Sequence, residues 1–444
     1  MDILLEIISC FLGISVLWVE IFKLKCKNIV TSIFIACYVP LFCIFPLVAR
    51  AFIGGATSIN KINGGIFIDS SVYIIFQLYN LLLLVCLIML YSIARKKKKN
   101  RFEQSNVQSY EKYTGWLFAL IILGVYLYIQ STGLSIIDLL IASRFEWFSN
   151  PNYSSFWAVI ASYLIALSPI VTYLSFINKQ KFIFICLILV LVFYGVLSKD
   201  RKWVIFIFSG LIAGIYTKNN NKIEISIKYF LIMVSVVSTL AFWQILRDTL
   251  FDEIVTGKGE FEEFSERAGE MGLKLMKEGD LPYFYNSSVT AINMNFHDGY
   301  TIPLGLLRRQ LFFAFPADYS LGLKIKDISA IFSDKLNAGD SNRGGNMPPG
   351  SIGLFALSFY WWGGLIMYIS VPITIFLTDK VILQKNSLLK IVILSNAFSS
   401  VILFLRGDDS SATYFIMFNF GIGFLIKLLK SVSKKNIPKF HISE

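Results

Sequence analysis

The sequence predicts an all-α membrane protein with about 11 spans, within a range of roughly 10 to 12, and one large polar loop late in the chain. Three observations support this prediction. Hydrophobic residues make up 55% of the 444 residues and charged residues only 16%, which is too apolar for a soluble domain. Apolar runs close to the ~20 helical residues that cross a bilayer recur along the chain. Between two of them, the stretch from Arg247 to Gly350 holds 15 of the 29 acidic residues.

The candidate spans are apolar runs separated by charged or turn-forming residues. In chain order they are Met1–Phe22, Val30–Leu47, Ser71–Ile93, Trp116–Gln130, Phe156–Ile177, Phe182–Leu197, Trp203–Tyr216, Tyr229–Leu246, Ser351–Leu377, Ile391–Leu405 and Tyr414–Leu429. The sixth and seventh runs are short, so the tip between them, Ser198-Lys-Asp-Arg-Lys202, is expected near lipid headgroups. A re-entrant pair at this point would change the number of spans.

The distribution of basic residues predicts which side each loop faces. Arg95-Lys-Lys-Lys-Lys99 is the strongest cytoplasmic signal, and alternation from it puts the amino end outside and the carboxyl end inside. The predicted organisation is therefore residues 1–246 with transmembrane helices 1 to 8, and an extracytoplasmic (periplasmic) loop over 247–350. Residues 351–429 carry the last three helices, and 430–444 form a basic cytoplasmic tail. Nine of the 11 arginines then lie outside, and arginine has the planar donor geometry that matches phosphate.

The sequence gives no sign of a nucleotide, cofactor or metal site. It has no Walker-type Gly-Lys-Ser/Thr, and its longest internal cytoplasmic loop, 95–114, is too short for a βαβ unit. The net charge of +12 does not indicate nucleic-acid binding, because the basic residues cluster at the ends of apolar runs. Asp408 and Asp409 lack the further ligands that a metal needs. We therefore expect membrane lipid around the chain, and no cofactor, metal or nucleic acid.

Four arginines are candidates for binding a phosphate group: Arg201, Arg308, Arg309 and Arg406. Arg201 is expected at headgroup depth, where it either holds an anion or simply snorkels to the interface. Arg308 and Arg309 precede the aromatic run Phe312-Phe-Ala-Phe-Pro316, and aromatic faces suit sugar rings. The alternative for this pair is an ordinary surface charge pair on a loop helix.

Three residues are candidates for a general base: His297, Asp298 and Asp408. His297 is one of two histidines in the chain, and a histidine beside a carboxylate suits a base or a partner for a sugar hydroxyl. An ordinary solvated loop histidine fits the same pattern. Arg406-Gly-Asp-Asp409 places charges at the end of a span, where they are costly unless they are paired or functional. Asp408 therefore either deprotonates a hydroxyl or neutralises Arg406.

Together these features resemble the O-antigen polymerase family, the Wzy-type polymerases of oligosaccharide repeat units. The resemblance is carried by Ser198-Lys-Asp-Arg201, by Arg308-Arg309 through Pro316, by Pro348-Pro-Gly-Ser-Ile-Gly353 with Gly363-Gly364, and by Arg406-Gly407. It covers the architecture over most of the chain, and each motif is short.

The resemblance implies a GT-C-like fold and an inverting glycosyltransferase of O-antigen or capsule synthesis. Such an enzyme transfers glycan from one undecaprenyl diphosphate to the non-reducing end of another lipid-linked repeat unit. By match to the family pattern, Arg201, Arg308 and Arg406 would bind the diphosphate, with Arg309 as the alternative to Arg308. The resemblance also implies a bacterial inner-membrane location, an active site facing the periplasm, and a partner protein that regulates chain length.

Three other functions fit part of the pattern. An O-antigen ligase-like glycosyltransferase shares the many spans and the large late loop. A polysaccharide or lipid-linked sugar transporter is also basic and polytopic, but transporters usually show internal repeats and charged residues at mid-membrane. A membrane sensor or scaffold is the third alternative, and it would tolerate alanine at Arg201, Arg308 or Arg406.

Overall fold

The structure is a computed structural model that describes residues 2–23, 28–53, 70–94, 108–141, 150–198, 200, 202–219, 222, 280–312, 323, 327–337, 348–383, 387–408, 417–425 and 427–428. Every regular element in these residues is helical. The all-α prediction is therefore confirmed for the part of the chain that the structure describes.

The first half of the chain contributes ten α-helices to the described residues. They are α1 (Asp2–Trp18), α2 (Ile29–Tyr38), α3 (Phe45–Ile53), α4 (Ser70–Ala94), α5 (Thr114–Thr132), α6 (Ile136–Ile141), α7 (Ser155–Ile165), α8 (Ser168–Ile177), α9 (Lys181–Ser198) and α10 (Lys202–Lys218). π-Helical turns at Val19–Lys23 and Val39–Ile44 extend α1 and α2, and a 3₁₀ turn at Gln108–Tyr113 precedes α5.

The second half combines short helices of the predicted loop with the last spans. They are α11 (Asp280–Phe296), α12 (Gly305–Leu311), α13 (Ile328–Asn337), α14 (Gly350–Phe359), α15 (Gly363–Ile382) and α16 (Ser387–Arg406). Residues 417–425 are helical as well.

Eight helical segments of the described residues are long and apolar enough to cross a membrane, so the chain is a polytopic membrane protein. They are Ile3–Phe22, Ile29–Val48, Ser71–Leu90, Tyr110–Thr132, Ser155–Ile177, Lys181–Ser198, Gly350–Ile382 and Leu388–Arg406. The predicted seventh span corresponds to α10, which has 17 residues. The predicted eighth span, Tyr229–Leu246, lies outside the described residues, as does the tail at 430–444. A total of about 11 spans therefore stays a prediction.

The predicted ninth span, Ser351–Leu377, is not one continuous helix. A 3₁₀ turn at Tyr360–Trp362 separates α14 from α15, and Tyr360 there adopts φ 55° and ψ −142°. The chain turns back at this point, since a Cβ on Gly363 would lie 2.5 Å from the carbonyl oxygen of Phe355. Only glycine lets the start of α15 approach α14 so closely.

α11 is part of the protein core although it belongs to the predicted outer loop. Every residue from Phe284 to Asn295 is buried, including six that are polar. The Tyr285 ring packs edge-on against Phe76 of α4, with ring centroids 5.1 Å apart. This part of the predicted loop is thus held among the spanning helices.

α11 and α14 run side by side in the same direction. Ser288 of α11 lies against Gly350 at the start of α14, and Asn295 Nδ2 donates a hydrogen bond of 3.0 Å to the carbonyl of Ala356, further along it. A Cβ on Gly353 would lie 2.6 Å from that of Ala291. The helices can pack this closely because α14 presents glycine to its neighbour.

The two ends of the helical bundle are called the Arg406 end and the Asp379 end, after a residue at each. At the Arg406 end, α16 finishes beside the start of α14. At the Asp379 end, the Asp379 carboxylate of α15 accepts hydrogen bonds from Val30 and Thr31 at the start of α2. α16 has 20 residues, about 30 Å of helix, which matches the thickness of a bilayer core.

Candidate functional site

Arg406 is the last residue of α16, and the chain turns sharply after it. The amide of Gly407 donates to the Phe404 carbonyl and that of Asp408 to the Leu403 carbonyl, both at 2.9 Å. Gly407 has φ +86°, the left-handed conformation that closes a helix in this hydrogen-bond pattern. The turn presents Arg406 and Asp408 together at one end of the bundle.

Gly407 is the point at which three helix ends meet. A Cβ on Gly407 would lie only 2.6 to 2.9 Å from backbone atoms of Gly350, the first residue of α14. The Gly407 carbonyl also accepts a hydrogen bond of 3.5 Å from the hydroxyl of Ser329 in α13. The carboxyl end of α16 thus meets the amino ends of α13 and α14, which carry partial positive charge.

Arg309 joins this end of the bundle through Asp327. An Arg309 guanidinium nitrogen lies 3.8 Å from the Asp327 carboxylate, and the Arg309 side chain is 14% exposed. Asp327 in turn caps α13 by accepting a hydrogen bond of 3.0 Å from the Ser329 amide. Arg309 and Arg406, almost 100 positions apart in the sequence, are therefore linked through Asp327, Ser329 and Gly407.

Arg308 has a different partner from Arg309. Its Nε donates a hydrogen bond of 2.9 Å to the carbonyl of Leu323, on a part of the loop that is exposed. The structure thus separates the doubled arginine: Arg309 pairs with a residue that contacts the α16 turn through Ser329, whereas Arg308 contacts loop backbone.

Arg406 is half-buried and has no carboxylate within ion-pair distance among the described residues. Arg50 is the contrast, since its Nε and Nη2 make hydrogen bonds of 2.7 and 2.8 Å to the two carboxylate oxygens of Glu6, and Glu6 is 1% exposed. Arg50 is thus used to neutralise a buried carboxylate. The charge of Arg406 remains available for an anionic ligand.

His297 and Asp298 lie away from the α16 turn. Both are exposed just after α11, where Gly299, with φ +63°, reverses the chain. The preceding residue, Phe296, stacks on Tyr360 with ring centroids 6.2 Å apart. Tyr360 follows α14, and Gly350 begins it, so the 10 residues of this helix, about 15 Å, separate the two locations.

Three residues after His297, Tyr300 lies beside two ionisable side chains of α13, and no sequence motif marks this group. Lys335 Nζ lies 5.3 Å from the centre of the Tyr300 ring. Burial raises the pKa of Tyr300, and the negative charge of Asp334 raises it further. These residues belong to a loop stretch without recognisable motif, so only their convergence in the fold reveals them.

The remaining expectations concern residues that the structure does not describe and the metal ligands. Arg201 and Asp409 lie outside the described residues. In the ranges that are described, no three His, Cys, Asp or Glu residues group closely enough to hold a metal ion. The described parts of the site are therefore built from arginine, helix ends, hydroxyls and single carboxylates.

No family model matches the chain, and no curated protein or solved structure is significantly similar to it. The functional proposal therefore depends on the chemistry of the site.

Proposed function

We propose that the protein polymerises lipid-linked oligosaccharide repeat units of O-antigen or capsule at the outer face of a bacterial inner membrane. It transfers a glycan from undecaprenyl diphosphate to the non-reducing end of another undecaprenyl-diphosphate-linked repeat unit, on a GT-C-like fold. The observation that carries the proposal is the link from Arg309 through Asp327, Ser329 and Gly407 to Arg406. Arginines from two distant motifs at one end of a membrane bundle suit a lipid diphosphate.

The reaction is a displacement at the anomeric carbon of the donor sugar. The acceptor hydroxyl oxygen forms the new glycosidic bond while the bond from that carbon to the diphosphate oxygen breaks. The bonding electrons leave with the diphosphate, whose growing negative charge the arginines and the positive helix ends stabilise. The hydroxyl proton passes to a base.

The geometry favours Asp408 as this base. Asp408 is two residues from Arg406 on the same turn, whereas His297 and Asp298 lie beyond the far end of α14, about 15 Å away. A base has to lie within about 3 Å of the proton that it removes.

Surface glycan length tests the proposed function directly. A host lacking its own copy of the gene would be complemented with wild type, Arg309→Ala, Arg406→Ala or the double variant, and the glycan separated on a gel. Loss of one transition-state cation lowers catalysis by about 10²- to 10³-fold, so we expect the ladder to collapse to a single repeat unit. Lys380→Ala, an exposed cation at the Asp379 end, is the control and should keep the full ladder.

Two other results would contradict the proposal. An unchanged ladder in the double variant, with the protein at normal level in the membrane, would exclude these arginines from the reaction. Complete absence of surface glycan, including the single repeat, would indicate export or ligation instead of polymerisation.

A further inference from the structure

Six buried hydroxyls in the described part of the chain lack a hydrogen-bond partner, and two of them, on Ser288 and Ser351, lie at the same helix end. Ser288 of α11 and Ser351 of α14 are both 0% exposed, and the Oγ atom of each has no hydrogen bond in the structure. A buried hydroxyl without a partner reduces stability, because its bond to water is lost and not replaced. Native proteins retain few such groups, and each one calls for an explanation.

Both hydroxyls lie at the amino end of α14. Ser351 is the second residue of the helix, and Ser288 Oγ points at Gly350, the first residue, so closely that a Cβ there would collide with it. The residue before the helix is Pro349, which provides no capping side chain. The first amide groups of a helix of this length carry partial positive charge and are well suited to bind an anion.

The turn that carries Arg406 lies beside this helix end. Gly407 touches Gly350 backbone to backbone, and it follows directly after Arg406. Among the described carboxylates nearby, Asp327 already caps α13 and pairs with Arg309, while Asp408 belongs to the α16 turn.

We propose that Ser288, Ser351 and the first amides of α14 form a phosphate-binding subsite that holds one phosphate of a lipid diphosphate, with Arg406 contacting the same group. A phosphate has several acceptor oxygens, so it can satisfy two hydroxyls and a helix amino end together. The enclosure strengthens each of these interactions, because charges and dipoles interact more strongly where water is excluded. The identity of the carrier lipid rests on the proposed function; the phosphate chemistry of the subsite does not.

The experiment is a binding titration on the full-length protein in phosphatidylcholine nanodiscs. The probes are undecaprenyl diphosphate, inorganic pyrophosphate and phosphatidylglycerol, and each variant is also melted without ligand. Hydrogen bonds to a charged group are strong enough that losing one weakens Kd about tenfold. We therefore expect Ser288→Ala and Ser351→Ala each to bind undecaprenyl diphosphate and pyrophosphate about tenfold more weakly.

The melting temperature separates a binding role from a structural one. Because neither hydroxyl has a partner, removing it should leave the melting temperature unchanged or higher. Ser358→Ala is the matched control on the same helix, since Ser358 Oγ accepts a hydrogen bond of 3.1 Å from the Leu306 amide. It should lower the melting temperature and leave Kd unchanged.

The subsite would be excluded if both serine variants kept the wild-type Kd, whatever their melting temperatures. Serine-dependent binding of phosphatidylglycerol as tight as that of undecaprenyl diphosphate would show that ordinary lipid headgroups occupy the site, and would overturn the diphosphate assignment. The two proposals can fail separately. Serine-dependent diphosphate binding, together with loss of all surface glycan, including the single repeat, when the protein is inactivated, would leave the subsite standing and remove the polymerase assignment.

Discussion

Asp379 accepts a hydrogen bond of 2.6 Å from the hydroxyl of Thr31, 348 positions earlier in the chain. The same carboxylate accepts hydrogen bonds from the amides of Val30 at 2.9 Å and Thr31 at 3.0 Å. These amides belong to the first turn of α2, whose own preceding residue, Asn28, provides no side-chain cap. A carboxylate from α15 therefore caps a helix at the other end of the sequence.

Asp379→Ala should destabilise the protein because it leaves two buried amides and a hydroxyl without an acceptor. We expect a loss of about 3 kcal/mol in the free energy of unfolding, measured by thermal or denaturant unfolding in detergent. Asp379→Asn keeps one acceptor oxygen and should cost less. Thr378→Ala, which removes only a hydrogen bond within its own helix, is the control; equal losses in Thr378→Ala and Asp379→Ala would argue against the cap.

Gly407→Ala should disrupt the meeting point of α13, α14 and α16. The variant must tolerate both a left-handed backbone, with φ +86°, and a Cβ 2.6 Å from the Gly350 nitrogen. We expect a cost of about 2 to 5 kcal/mol from strain and overpacking together, seen as a lower melting temperature and a shorter glycan ladder.

Gly299→Ala separates these two causes. Gly299 has φ +63°, but a Cβ there would meet nothing within 4 Å. The alanine should therefore cost only the strain of the left-handed backbone, about 1 to 2 kcal/mol. If the two variants were equally stable, overpacking between Gly407 and Gly350 would make no measurable contribution to the free energy of unfolding.

Asn419→Leu should destabilise the protein at the break between α7 and α8. Asn419 is fully buried, and its Nδ2 donates to the Ala166 carbonyl at 3.0 Å and to Asn396 Oδ1 at 3.1 Å. Ala166 lies at the break between α7 and α8, where the helical hydrogen-bond pattern is interrupted and lipid offers no donor. We expect a loss of about 1 to 2 kcal/mol by unfolding measurements. Gly421→Ala, at a position with open space, should have no such effect, and a similar loss there would contradict the explanation.

Asp408→Asn should stop chain extension if Asp408 is the base. The amide cannot accept the proton, so the transfer rate should fall by about 10²- to 10⁴-fold, measured as incorporation of labelled repeat units by membranes. The amount of folded variant in the membrane is measured in parallel, so that a loss of transfer is separated from a loss of protein. His297→Ala should retain most of the transfer rate. The reverse result, with His297→Ala inactive and Asp408→Asn active, would identify His297, near Tyr360, as the base.

The sequence by itself was enough to predict helices and a membrane location. Helix formation and spanning length depend on local properties, namely the length of an apolar run and the charges that flank it, so runs such as Lys181–Ser198 and Leu388–Arg406 appear in the structure close to where they were predicted. Arg406 and Asp408 could also be selected from the sequence, because a charge at the end of a span is costly unless it is paired or functional. Arg309 could be selected because it precedes an aromatic run that suits sugar rings.

The tertiary structure decided which helices and which candidate residues contact one another. α11 is buried although its sequence is polar, because polar side chains such as Thr290 and Asn295 donate hydrogen bonds to backbone carbonyls inside the protein, which no hydropathy pattern records. The break at Tyr360–Trp362 depends on Gly363 approaching Phe355, and the candidate site depends on Gly407 touching Gly350. Such contacts join positions far apart in the chain, so local composition determines the helices, and only packing between them determines the site.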